Sequence, residues 1–195
     1  IRSEYLDLIA GAPLPENAKV AWDLGTGTGV IAIMLAKRDV PKVIATDIDT
    51  RAIACARENV ERFGFSDRIE VREADLFATG TADLIVCNPP WIPEKPQTRL
   101  DRAIYDPDSS LLRRFLAELP GHLAPGGQGW LVISDLGERL GLRPPMFIPE
   151  AIAAAGLTLV WKRHTEARHP RAEDAADPLH AARGAEVTTL YCLAS

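Results

Sequence analysis

The hydrophobic pattern in the first half of the chain alternates between short apolar runs and longer stripes with helical spacing. The short runs are typical of buried strands, and the stripes are typical of helices that cover a sheet. The predicted order is helix 1–10, strand 19–24, helix 30–38, strand 42–46, helix 50–63, strand 68–72 and strand 82–87. This alternation predicts a parallel sheet with covering helices.

The second half of the chain resumes the pattern after a polar, proline-rich stretch. Pro125–Gly127 predict a turn that leads into the fifth strand. The remaining predicted elements are a helix at 111–123, a strand at 130–133, a helix at 149–155, and strands at 157–161 and 186–193. Seven strands with their helices predict one α/β domain over residues 1–195, and a further domain upstream of Ile1 is left open.

Composition and charge place the chain among ordinary globular proteins. Of its 195 residues 47% are hydrophobic and 25% are charged, which suits a domain with a sizeable core. The net charge of −5 provides no overall basic field, although a local basic patch would suffice for a nucleic acid. The longest apolar run is too short to span a bilayer. We therefore expect a cytoplasmic protein without a membrane partner, and its oligomeric state is not predicted.

Metal and disulfide sites are not predicted. The three cysteines are scattered without C-x-x-C spacing. The long stretch Arg163–Ala185 has no clear period and carries His164, His169 and His180, whose separations fit no compact pattern of metal ligands. We interpret this stretch as a solvated loop or as a lid over the substrate.

A glycine-rich turn joins the first predicted strand to the helix that follows it. Gly25, Gly27 and Gly29 come at alternate positions after Asp23, and a helical pattern begins at Val30. Glycine permits a sharp turn and a close approach by a ligand, and a helix begins with unpaired N–H groups. These features predict a site for a nucleotide-like cofactor. A dinucleotide such as NAD is the alternative, although its G-x-G-x-x-G pattern needs a later third glycine.

Two more carboxylates follow predicted strands. Asp47 ends the second strand, at the place where an acidic side chain in a nucleotide-binding α/β fold reaches the ribose hydroxyls. Asp75 follows the third strand, where it can accept a hydrogen bond from an adenine amine or serve only in a turn. Asp49 is interpreted as the cap of the next helix.

The fourth strand runs directly into Asn88, Pro89, Pro90 and Trp91. The two prolines fix their own φ angles and lack N–H donors. The side-chain carbonyl of Asn88 and the backbone carbonyl of Pro89 can then accept two N–H bonds from one flat amino group. Trp91 offers a broad face to a planar substrate. We predict catalytic roles for Asn88, Pro89 and Trp91, and a purely structural turn is the alternative.

In this order and spacing, Asp23–Gly29, Asp47, Asp75 and Asn88–Trp91 resemble the motifs of class I S-adenosylmethionine-dependent methyltransferases. Within that class the chain is similar to the N-methyltransferases that carry an Asn-Pro-Pro-Tyr motif. The resemblance covers nearly the whole chain. It implies a doubly wound, Rossmann-like sheet of seven strands, mostly parallel with an antiparallel last strand. It also implies S-adenosylmethionine as cofactor and S-adenosylhomocysteine as product.

The resemblance implies a role for several residues. Gly25 and Gly27 would pass close to the methionine part of the cofactor, and Asn88 would hold the nitrogen to be methylated. Asp47 would hold the ribose, and Asp75 the adenine amine. The full set of residues expected to bind the cofactor is Asp23, Gly25, Thr26, Gly27, Gly29, Asp47, Ile48, Asp75, Leu76 and Asn88.

Among these enzymes the chain is most similar to the HemK-type protein glutamine methyltransferases, which act on peptide release factors. Residues 2–4 resemble a run before their glycine loop, Trp91–Pro93 resembles their Tyr-Ile continuation, and Tyr105–Pro107 is similar to their Phe-Glu-Pro. Trp91 stands where they more commonly carry Tyr. We expect methyl transfer to a protein glutamine, with a release factor as partner.

Three alternatives stay open at this point. The acceptor of the methyl group can instead be the exocyclic amine of adenine or guanine in RNA or DNA, which a basic, aromatic surface beside Trp91 would favour. From another class, the chain can be an NAD-dependent oxidoreductase or a cofactor-binding subunit without catalysis. The polar loop that carries Lys95, Arg99, Asp101 and Arg102 is expected to choose the substrate.

Overall fold

The computed structural model describes residues 4–95, 104–166 and 184–195. Its elements, in chain order, are α1 Glu4–Gly11, β1 Val20–Leu24, α2 Val30–Lys37, β2 Lys42–Asp47, α3 Thr50–Arg62, β3 Ile69–Glu73, β4 Ala82–Cys87, α4 Ser110–His122, β5 Leu123–Ser134, α5 Leu136–Arg139, α6 Phe147–Ala154, β6 Thr158–Glu166 and β7 Val187–Ala194. A 3-10 turn covers Pro107–Ser109. No helix within these described ranges is long and apolar enough to cross a membrane.

The seven strands form one sheet in the order β3-β2-β1-β4-β5-β7-β6. β1 is parallel to β2 on one side and to β4 on the other, and β2 is parallel to β3. The last strands are antiparallel. The strand order reverses at β1, which in open α/β sheets creates a crevice for a ligand at the carboxyl ends of the strands. The predicted doubly wound sheet, mostly parallel with an antiparallel end, is confirmed.

The chain divides into two compact units. The first, here called the glycine-loop unit, comprises Pro13–Asn88, Glu118–Trp130 and Ala194–Ser195. The second, the proline-loop unit, comprises Ile1–Ala12, Pro89–Ala117 and Leu131–Leu193. The predicted motifs are thus shared between the units, because the glycine turn and Asn88 belong to the first and Pro89–Trp91 to the second.

The core of the glycine-loop unit lies around β1 and β4. Both strands are apolar on both faces, as expected for parallel strands that helices cover. Trp22 and Ile85 are almost completely buried. Asp83 is the polar exception in β4, and its carboxylate accepts hydrogen bonds from the backbone N–H groups of Lys19 and Val20 at 2.8 and 2.9 Å. This contact fixes the start of β1 beside β4.

A buried carboxylate fixes the start of α4 in the proline-loop unit. Asp106 accepts hydrogen bonds from the hydroxyl of Ser110 and from the N–H groups of Leu111 and Leu112, at 2.9–3.1 Å. Its own N–H donates to the carbonyl oxygen of Ile92. These bonds satisfy N–H groups that the first turn of a helix leaves without partners.

β5 differs from its prediction, because the expected turn at 125–127 lies inside a strand that starts at Leu123. Gly126 has a φ of +76°. A Cβ on Gly127 would lie 2.9 Å from the carbonyl oxygens of both Ala124 and Ala82. The glycine thus lets the backbone of β5 approach that of β4, a contact with a distant strand that the local turn signal does not encode.

Two further differences concern the second half of the chain. α5 was not predicted, and β6 extends four residues into the stretch Arg163–Ala185 that was interpreted as a loop. The rest of that stretch up to residue 183, with His169 and His180, lies outside the described residues. The same holds for residues 2–3 and for Arg99, Asp101 and Arg102.

The close approach at Gly127 predicts a large loss of stability in Gly127→Ala. The added methyl would overlap two carbonyl oxygens of the backbone, which should lower the free energy of unfolding by about 2 kcal/mol or more. Gly121→Ala is the matched control, because a Cβ at this helical position meets no described atom within 4 Å. Its stability should be unchanged or higher by up to about 1 kcal/mol. Urea denaturation measures both, and equal stabilities of the two variants would contradict the assignment.

Candidate functional site

The carboxyl ends of four parallel strands lie in register within the glycine-loop unit. Leu24 at the end of β1 pairs with Thr46 in β2 and with Cys87 in β4. Asp47 pairs with Glu73 at the end of β3. The loops that follow these strands therefore start from one edge of the sheet, on which the predicted site residues lie.

The glycine turn after β1 has the backbone shape that its sequence predicts. Gly25, Gly27 and Gly29 have φ angles of +67°, +55° and +81°, in a region that side chains other than hydrogen disfavour. A Cβ on Gly25 or Gly27 would meet no described atom within 4 Å. A Cβ on Gly29 would instead lie 3.3 Å from the Cβ of Ala56. The first two glycines thus leave space in front of the turn, and the third lets α3 pack behind it.

Hydrogen bonds from two other elements hold this turn. The N–H of Thr26 donates to the carbonyl oxygen of Thr46 in β2 at 2.8 Å. The side-chain amide of Asn59 in α3 donates to the carbonyl oxygen of Thr28 at 2.9 Å. The turn is therefore shaped by the protein itself, and a ligand would meet it already formed.

Asp23 lies beneath the turn with 1% of its surface exposed. Its Oδ2 accepts hydrogen bonds from the hydroxyl of Thr26 at 2.6 Å and from the N–H of Ala32 at 3.0 Å. Its Oδ1 is buried and has no hydrogen-bond partner among the described residues. A buried carboxylate oxygen without a partner fits a donor that comes from a bound molecule.

The environment of Asp23 raises its pKa from the ordinary value of 3.8 to about 6. Burial is the largest cause, because it disfavours the charged form. The hydrogen bonds from Thr26 and Ala32 act in the opposite direction, and the nearby charge of Asp47 raises the pKa further.

Asp47 joins the end of β2 to the glycine turn. Its Oδ2 accepts a hydrogen bond from the N–H of Gly27, and its Oδ1 accepts one from the N–H of Asp49, both at 2.9 Å. An ionised carboxylate has about four acceptor positions, so two hydroxyl groups can still bind. The predicted ribose contact is therefore compatible with the bonds that Asp47 already makes, and it stays a prediction.

The neighbouring loops provide an apolar surface and a second carboxylate. Ile48 is 65% exposed directly after Asp47, which is unusual for a large aliphatic side chain. Leu76 has a φ of +75°, a strained value for a residue other than glycine. The hydroxyl of Thr46 donates to its carbonyl oxygen at 2.7 Å and holds this conformation. With the exposed Asp75 beside them, these residues suit a flat ring that carries an amino group.

The loop after β4 is anchored on its far side. Asn88 is half-buried at the end of β4, and Pro89 is buried. Two residues beyond Pro90, the N–H of Ile92 donates to the carbonyl oxygen of Ile104, and the carbonyl oxygen of Ile92 accepts from Asp106. The strand end and this pair of backbone bonds therefore limit the movement of the segment between them.

All ten residues predicted to bind the cofactor lie in the glycine-loop unit, on loops and strand ends at this edge or just beneath it. Pro89 directly follows Asn88 in the chain, and Trp91 comes two residues after Pro89. Sequence reasoning missed Thr46 and Asn59, which hold the loops in place. The sequence carried a signal for Thr46, because this polar residue directly follows the apolar run 43–45. In the structure its side chain is completely buried. Asn59 had no comparable signal.

The raised pKa of Asp23 predicts how stability depends on pH. Between about pH 4 and 6 the folded protein keeps a proton that the unfolded chain has lost, so the free energy of unfolding should fall as the pH rises. The contribution of this one carboxyl is roughly 3 kcal/mol. The variant Asp23→Asn lacks this titrating carboxyl group, and its side-chain oxygen can still accept hydrogen bonds from the hydroxyl of Thr26 and the N–H of Ala32. Denaturation at a series of pH values should show the variant gaining stability relative to the parent from pH 4 to 6. A constant difference would contradict the buried titration.

Comparison with known proteins gives the site a context. Residues 8–139 match the family model described as methyltransferase small domain. The chain is 34% identical over 173 residues to the release factor glutamine methyltransferase of Cereibacter sphaeroides, which covers 82% of this chain and 59% of that relative. It is 44% identical over 81 residues to the tRNA1(Val) (adenine(37)-N6)-methyltransferase of Glaesserella parasuis, with coverage of 40% and 34%. The chain thus spans less than two thirds of the length of either relative.

A solved structure supports the fold. The ribosomal protein L11 methylase of Lactobacillus delbrueckii subsp. bulgaricus superposes with a TM-score of 0.65 at 22% identity. The match covers 99% of this chain and 77% of that one.

Proposed function

Because the chain belongs to the methyltransferase small domain family, we propose that it transfers a methyl group from S-adenosylmethionine to the side-chain amide nitrogen of a protein glutamine. One observation carries the proposal. The glycine turn, Asp47 and Asn88 extend from the in-register ends of adjacent parallel strands. A nucleotide-bearing methyl donor and an acceptor nitrogen have to meet at one place, and this edge presents groups suited to both.

Different residues of the glycine-loop unit would bind different parts of the cofactor. The space in front of Gly25 and Gly27 suits the methionine part, whose ammonium group can donate to the unpartnered Oδ1 of Asp23. Asp47 would accept from the ribose hydroxyls. Ile48, Asp75 and Leu76 would hold the adenine. S-adenosylmethionine supplies a methyl group on a positively charged sulfur. When the methyl group is transferred, the rest of the cofactor leaves as a neutral thioether.

Asn88 and Pro89 would prepare the acceptor. The lone pair of an amide nitrogen is delocalised into its carbonyl, so the nitrogen is a weak nucleophile. The side-chain carbonyl of Asn88 and the backbone carbonyl of Pro89 can accept its two N–H groups, which concentrates electron density on the nitrogen and orients it. Placement of the two reactants accounts for much of the rate, and the surplus proton can pass to water after the transfer.

A release factor is the proposed protein substrate. The relative from Cereibacter sphaeroides, named for that activity, aligns over 82% of this chain, including the segments on either side of Asn88–Trp91. Such a substrate implies the cytoplasm, as the sequence also led us to expect.

The second candidate acceptor is the exocyclic amine of adenine in a tRNA. It is favoured by the 44% identity to the enzyme of Glaesserella parasuis, which extends over 81 residues only. An aromatic amine also carries two N–H groups on a nitrogen with a delocalised lone pair, so Asn88 and Pro89 would act on it in the same way. The net charge of −5 favours a protein over a polyanion.

Calorimetric titration with S-adenosylhomocysteine tests the cofactor. We expect a micromolar Kd and no heat with NAD. Asp47→Ala should weaken binding by about tenfold or more, since it removes the proposed ribose contact and the acceptor for Gly27. Asp49→Ala is the matched control, because that carboxylate caps α3 and should leave the Kd unchanged. Binding of NAD alone would overturn the proposed chemistry.

Substitution of Asn88 tests the acceptor site. Asn88→Ala should reduce turnover by ~10²-fold or more while S-adenosylhomocysteine still binds, because the lost carbonyl acts mainly on the reacting nitrogen. The assay follows a labelled methyl group from S-adenosylmethionine into a release factor and, in parallel, into tRNA. Label in tRNA alone would select the second candidate, and full activity of the variant would remove Asn88 from the chemistry.

A further inference from the structure

A buried ion pair closes the segment that follows β5 in the proline-loop unit. Arg143 donates through Nε to Oε1 of Glu138 at 2.9 Å and through Nη2 to Oε2 at 2.8 Å. Only 2% of the Arg143 side chain and 12% of the Glu138 side chain are exposed. A two-pronged pair of this kind is well defined in geometry as well as in charge. It closes residues 134–143, here called the Arg143 turn.

Further contacts make the Arg143 turn rigid. Nη2 of Arg143 also donates to the carbonyl oxygen of Ser134, and its guanidinium lies over the ring of Phe147. The hydroxyl of Ser134 donates to Glu186 next to β7 and accepts from the N–H of Leu136. The turn is thus bonded internally and to the residue that precedes β7, so it can act as a fixed support.

Gly137 presents the bare backbone of this turn to the loop after β4. A Cβ on Gly137 would lie 3.2 Å from Cδ of Pro93 and 3.3 Å from Cζ of Arg143. These separations are tighter than most contacts of a Cβ, so a side chain at position 137 would displace Pro93 or Arg143 by a few tenths of an ångström. Pro93 comes two residues after Trp91.

The loop has little freedom to absorb a displacement of Pro93. Ile92 is 7% exposed and is bonded through both its N–H and its carbonyl oxygen to residues 104–106. Pro93 itself has a fixed φ. Because Ile92 lies between Pro93 and Trp91, a shift of the Pro93 ring strains the two bonds of Ile92, which fix the end of the segment Asn88–Trp91 that lies away from β4.

We propose that Gly137 is a positioning residue, which the Arg143–Glu138 pair holds against Pro93 and which thereby sets the placement of Asn88–Trp91. Its effect on catalysis rests on the proposed function. The coupling between Gly137 and the loop is a property of the chain itself and can be measured without any substrate.

Nuclear magnetic resonance of Gly137→Ala tests the coupling. The methyl group pushes Pro93 by a few tenths of an ångström, so the resonances of the Trp91 indole N–H and the Asn88 side-chain amide should both shift. Gly121→Ala, the same change where a Cβ meets no described atom, should leave them in place. Trp91→Phe and Asn88→Asp assign the signals.

Arg143→Lys, which keeps the charge and loses the two-pronged contact, should shift the same signals. Unchanged Trp91 and Asn88 signals in a folded Gly137→Ala protein would overturn the proposal.

Kinetic measurements distinguish a positioning role of Gly137 from a general loss of folded structure. In Gly137→Ala the kcat for methyl transfer should fall about tenfold, since small misplacements of reacting groups are costly. The Kd for S-adenosylhomocysteine and the far-ultraviolet circular dichroism should stay unchanged. Unaltered kcat and KM beside an active parent would refute the positioning role. A parent that neither binds S-adenosylhomocysteine nor transfers methyl groups would instead refute the proposed function, and the resonance shifts would still decide the coupling.

Discussion

The carboxylate of Asp23 is the interaction on which the glycine-loop unit depends. Through Oδ2 it joins three consecutive pieces of the chain, because it belongs to β1, accepts from Thr26 in the turn and accepts from Ala32 in α2. Burial makes the charged form costly, as its raised pKa records. A carboxylate is kept in such a place when its geometry is needed, and here the geometry fixes how the turn leaves the strand.

The other elements of the site build on that turn. Asp47 extends the connection to β2 by accepting from Gly27, and Thr46 extends it further by holding Leu76 in a strained conformation. Hydrogen bonds therefore run from β1 across β2 to the loop after β3. A site of this type is shaped before any ligand arrives, so binding need not bear the entropy of ordering the loops.

The sequence predicted features whose causes are local, and it failed where the cause is distant. Asp49 caps α3 as expected, because a cap depends on residues two or three positions away. A Cβ on Gly127 would overlap the carbonyl oxygen of Ala82, and a Cβ on Gly137 would press on Pro93, contacts that no local pattern encodes. The family was predictable because its motifs fall at strand ends. The substrate was not, since neither a local motif nor the composition distinguishes an amide from an aromatic amine.

The chain passes from the glycine-loop unit to the proline-loop unit at the peptide bond between Asn88 and Pro89. Under the proposed function, the groups that hold the methyl donor all lie on one side of this boundary, and Trp91 with its supporting turn lies on the other. A substitution in the supporting turn therefore changes a different compact unit from the one that carries the glycine turn and Asp47. The segments around Trp91 and Gly137 are for that reason the place to redirect this scaffold toward a new acceptor.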